Sequence, residues 1–79
     1  MSPTIHREGS YRFYFFSREE PRMHVHVQCP AGEAKYWLEP TVLLAQNRGL
    51  SGQQLREIRL VIERKLDAFR DAWQSRFGS

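Results

Sequence analysis

His24 and His26 stand one residue apart within the stretch 23–27, and Lys35 and Trp37 stand one residue apart within 33–38. Residues two apart on an extended chain project to the same side, so each pair marks one face of a strand. Imidazoles move protons near neutral pH, and a lysine ammonium neutralises phosphate. A base, an acid and a cation suffice for metal-independent cleavage of RNA, which makes His24, His26 and Lys35 the catalytic candidates. A metal is the other chemistry open to two histidines about 7 Å apart, but zinc needs a third and usually a fourth ligand. The nearby offers are His6, Glu33 and Cys29, the last on the opposite face, so neither a metal nor a cofactor is expected. The competing reading is structural: both imidazoles are then polar cross-strand partners of Lys35 and Trp37 on a half-exposed face.

The element that must position these groups is a hairpin. Met23, Val25, Val27 and Cys29 alternate with His24, His26 and Gln28, and Pro30-Ala31-Gly32 is turn chemistry. A four-residue connection over 29–32 pairs Gln28 with Glu33, Val27 with Ala34, His26 with Lys35, Val25 with Tyr36 and His24 with Trp37. The aromatic run 11–16 supplies a first strand. The same parity puts Tyr11, Phe13 and Phe15 with Val25 and Tyr36, and Arg12, Tyr14 and Phe16 with His24 and Trp37. Residues 17–22, charged and holding Pro21, read as the connecting loop. Arg12, Tyr14, His24, His26, Lys35 and Trp37 thus form one mixed face of cations and rings, the surface expected to stack bases and neutralise phosphates.

Residues 1–10 read as a polar lead-in. After Pro40, 41–45 fits a short fourth strand or a helical turn, and Asn47-Arg48-Gly49 reads as a turn. Ser51 followed by Gln54 is a capping-box arrangement, with Leu50 and Leu55 placed as a hydrophobic staple. Leu55, Ile58, Ile62, Leu66, Phe69, Trp73 and Phe77 then recur at helical spacing up to Gly78. A helix over 51–77 is about 39 Å long at ~1.5 Å per residue. Phe69, Trp73 and Phe77 therefore overrun a short sheet and are expected either to bind a partner or to be covered by the N-terminal segment or the fourth strand folding back. The fold class predicted is α+β, a three- to four-stranded antiparallel β-meander packed on one long C-terminal α-helix, in a single domain over 1–79.

Composition narrows the setting. The chain has 79 residues, 41% hydrophobic and 27% charged, and its +3 net charge is concentrated in the C-terminal half, where seven basic residues meet four acidic ones. A domain this small buries only about 60% of its unfolded surface, so a protein partner or a second copy would stabilise it. No apolar run approaches the roughly 20 residues of a membrane span. The first seven residues lack a signal-peptide core, and one cysteine allows no intrachain disulfide. A cytoplasmic protein is expected.

Taken in order, Pro3-Thr4-Ile5, the run 11–17, His24-Val25-His26-Val27, the block 32–40, Asn47-Arg48-Gly49-Leu50-Ser51 and the helix ending near Trp73 and Phe77 resemble the bacterial DUF4160 family. Here Pro21-Arg22-Met23 intervenes where that family usually has a proline directly before the first histidine. The resemblance implies the toxin-like half of a toxin-antitoxin gene pair, with a DUF2442 protein as companion and RNA or DNA as a target. It supplies no catalytic residue. The alternative is a non-enzymatic nucleic-acid-binding or regulatory domain with structural histidines.

Overall fold

The computed structural model describes residues 4–16 and 21–78. Five strands form one antiparallel meander in chain order: β1 (Thr4–Glu8), β2 (Tyr11–Tyr14), β3 (His24–Cys29), β4 (Gly32–Trp37) and β5 (Leu43–Arg48). Two helices follow, α1 (Gly52–Arg64) and α2 (Leu66–Phe77). Of the connecting loop expected over 17–22, residues 17–20 lie outside the described residues.

The central hairpin has the register that alternation and turn length require: His24 faces Trp37, Val25 faces Tyr36, His26 faces Lys35, Val27 faces Ala34 and Gln28 faces Glu33. The first hairpin strand joins in phase, with Phe13 beside Val27 and Tyr14 beside His26. Phe13, Phe15, Val25, Val27 and Tyr36 are buried against Ile58, Val61 and Ile62 of α1 and Phe69 and Trp73 of α2. The Tyr36 hydroxyl donates to the Leu55 carbonyl at 2.9 Å, and burial pushes its pKa up.

The sheet has five strands, where three to four were expected. Residues 4–8, part of the expected lead-in, form a strand: they pair with β2 across Gly9 and Ser10, with Glu8 opposite Tyr11 and Gly9 at φ 58°. Arg64 and then His6 hydrogen-bond the Glu8 carboxylate and hold its pKa below the ordinary value, which ties the new edge strand to α1. At the other edge the strand begins and ends later than predicted, so Asn47 and Arg48 belong to β5. Beyond it, the Asn47 side chain brackets the turn, accepting from Leu50 N and donating to Leu50 O at 3.0 Å each. Gly32 and Gly49 touch across the sheet end, where a Cβ on Gly32 would run into the Arg48 carbonyl.

The capping box at Ser51 forms as predicted, with Gln54 N donating to Ser51 Oγ at 3.1 Å and Ser51 N donating to Gln54 Oε1 at 2.9 Å. The single long helix does not form. It breaks at Lys65, whose φ of −105° and ψ of 15° leave the helical region. A straight helix over 51–77 would be about 39 Å long, longer than the molecule's largest Cα extent of 35 Å. The break redirects α2 over the far end of β2. There Phe69 packs 5.5 Å from the Phe13 ring, and Trp73 packs 5.3 Å from Phe15. Phe69 and Trp73 are therefore core residues, and Phe77 lies half-buried on Phe15 and Trp73. The overhang that suggested a partner surface at these three residues is absent.

Candidate functional site

Helices cover one face of the sheet. The other carries the alternate residues of every strand, and its register sets them in rows. Thr4, Tyr14, His26, Lys35 and Gln46 form one row, and Arg7, Arg12, Gln28, Glu33 and Arg48 the next. His24 and Trp37 begin a third with Leu43.

Within this face a cleft of about 180 Å³ is lined by Phe16, His26, Glu33, Ala34, Lys35, Gln46 and Arg48. His26 is half-buried and set among three rings: Tyr14 stacked on it at 5.4 Å, Phe16 edge-on at 4.6 Å and His24 edge-on at 5.1 Å. Such packing fixes an imidazole's plane before any ligand arrives. Lys35 lies directly across the ladder, only 7% exposed, with its Nζ 4.6 Å over the Trp37 ring. The Arg22 guanidinium takes a position 4.2 Å from the same ring. Glu33 and Arg48 face each other at the open end, held there by the Gly32–Gly49 contact.

The six residues expected to meet nucleic acid fall on this side of the sheet by register, but they are not equally accessible. Tyr14 is 4% exposed, its ring stacked on His26 and capped by the Arg12 guanidinium at 4.5 Å, so no base can stack there. Arg12 itself donates to Thr4 Oγ1 at 2.6 Å and Gln28 Oε1 at 3.1 Å. What the cleft offers a ligand is cations and polar groups more than open rings.

Of the three catalytic candidates, His26 and Lys35 line the cleft and His24 does not. His24 is fully buried, with Nδ1 donating to the Arg22 carbonyl at 2.7 Å and the Trp73 ring 5.0 Å away. This hydrogen bond keeps the neutral ring's lone pair on Nε2. Trp73 reaches it because the β2–β3 ladder ends at Tyr14 and His26, short of His24. His6 and Cys29 lie toward the helices, His6 5.7 Å from Phe13, so neither joins the histidine pair. Among the described residues, no three His, Cys, Asp or Glu side chains are grouped to hold a metal ion.

Gln46 and Arg48 are the cleft residues that sequence reasoning passed over, and Glu33 entered it only as a neighbour of the histidines. Glu33 was legible from the hairpin register. Gln46 and Arg48 were hidden because the expected strand stopped at 45 and Asn47-Arg48-Gly49 read as a turn.

A family model described as a domain of unknown function, DUF4160, matches residues 10–74, and the chain belongs to that family. No curated protein and no solved structure matches it. No helix among the described residues is long and apolar enough to cross a membrane.

Proposed function

We propose that this DUF4160 protein is the toxin-like component of a bacterial gene pair, acting in the cytoplasm on RNA through its helix-free sheet face, with a DUF2442-like protein as its partner. The observation that carries the reading is the cleft itself, where His26, Lys35, Gln46 and Arg48 converge beside Glu33. Lysine and arginine beside a positioned imidazole are suited to a phosphodiester backbone, and their attraction to it weakens with salt. Expression of the chain should arrest growth, and His26→Ala with Lys35→Ala should relieve the arrest while the protein still folds. Arrest unchanged by that pair of substitutions would remove the cleft from the account.

One observation favours a second reading. His24, the first histidine of the pair, is wholly enclosed and bound to backbone, as a structural residue would be. The chain would then be a non-enzymatic nucleic-acid-binding module. RNA that is bound and remains intact would select it.

A further inference from the structure

Binding RNA needs only cations. The cleft holds more than that: its lysine has a carboxylate beside it on the same strand and an imidazole across the ladder. On β4, Glu33 and Lys35 project to the same side; on β3, His26 is opposite Lys35 while Gln28 is opposite Glu33. Glu33 and His26 are therefore diagonal neighbours on an antiparallel ladder, about 7–8 Å apart by strand geometry and somewhat less between Cβ atoms.

We propose that Glu33 and His26 are the base and the acid of a metal-independent RNA transesterification, and that Lys35 and Arg48 stabilise the charge that develops on phosphorus oxygens. The inference rests on the RNA reading above. In these roles the Glu33 carboxylate accepts a proton and the protonated His26 ring donates one. Glu33 takes the proton of a ribose 2′-hydroxyl. The 2′-oxygen attacks phosphorus, the O2′–P bond forms and the P–O5′ bond breaks. His26 gives its proton to the departing 5′-oxygen. The products are a 2′,3′-cyclic phosphate and a 5′-hydroxyl, and the protein is left with one proton moved from His26 to Glu33, restored by exchange with water. No oxidant, metal or second substrate enters.

The surroundings suit these roles. Three rings fix the plane of His26, and the Trp37 ring lies under the Lys35 ammonium. Gln46, opposite Lys35 on β5, adds an amide donor at the same row. His24 is a positioning residue here, because its enclosed ring abuts His26 and does not line the cleft.

The test uses a labelled single-stranded RNA of mixed sequence and its all-deoxy counterpart, both with chelator present. The RNA should be cut to fragments ending in 2′,3′-cyclic phosphate, and the deoxy strand should bind without being cut. Glu33→Gln and His26→Ala should each slow cleavage by about 10²-fold or more, the usual contribution of a positioned acid or base. Both should still bind RNA in anisotropy measurements and keep the wild-type fold by NMR. RNA bound at the cleft but left intact, or cut equally well by both variants, overturns this inference alone. Failure of the wild-type protein to bind either strand at low salt overturns the RNA reading as well.

Discussion

The two faces of the central hairpin are made by alternate residues of the same strands, and they do opposite things. Toward the helices, Val25, Val27, Ala34 and Tyr36 are sealed into the core. Away from them, His26, Glu33 and Lys35 border an open cleft. A slip of one residue in the ladder would exchange the two sets. Stability and the candidate chemistry are thus separated by parity, with His24 as the exception: it stands on the cleft side by register and in the core by burial.

Breaking the core side should have the largest effect. Phe13→Ala removes a fully buried ring packed against Phe69 and should cost about 3–5 kcal/mol. Stability of a small domain is itself only about 5–15 kcal/mol. Thermal unfolding monitored by circular dichroism would show the loss, and a shift no larger than that of a surface substitution would contradict the assignment. His24→Ala tests the exception: loss of an enclosed ring and of its bond to the Arg22 carbonyl should cost about 2–3 kcal/mol. A cost near zero in chemical denaturation would return His24 to the cleft side.

Arg48→Gln sharpens the other half of the comparison. Arg48 is exposed on the cleft rim, so folding should be almost unchanged while RNA affinity falls. The dependence of log affinity on log salt should become shallower by about 0.7, the loss of one phosphate contact to a single strand. An unchanged slope would take Arg48 out of the contact.

The smallest effect is expected at the β2–α1 tie, away from the cleft. The Tyr11 hydroxyl donates to Glu57 at 2.7 Å, which raises its pKa from 10.0 to about 12. A raised folded pKa means that this stabilisation is complete below about pH 10 and is lost as pH climbs through about 12. Urea midpoints at pH 9 and again above pH 11 should therefore draw together for wild type and Tyr11→Phe. A constant difference between them would rule out that hydrogen bond as the cause.

The hairpin register was legible because period-two alternation and a four-residue connection leave few alternatives. The N-terminal strand was missed although Gly9-Ser10 is a two-residue turn signal between β-compatible segments. The helix break had no local marker, since neither proline nor glycine occurs near Lys65. It follows from fitting Phe69 and Trp73 onto β2, a demand set by residues more than 50 positions earlier in the chain. The burial of His24 was hidden for the same reason, because Trp73 reaches it from the last helix.

The central claim is that RNA meets the helix-free face. It is tested most directly by an NMR titration of the protein with a short single-stranded RNA at low and moderate salt. The account predicts saturable, salt-sensitive shifts at His26, Lys35, Gln46 and Arg48, with Val25, Val27 and Ile58 little changed. Shifts confined to the helices, or none at all, would contradict it.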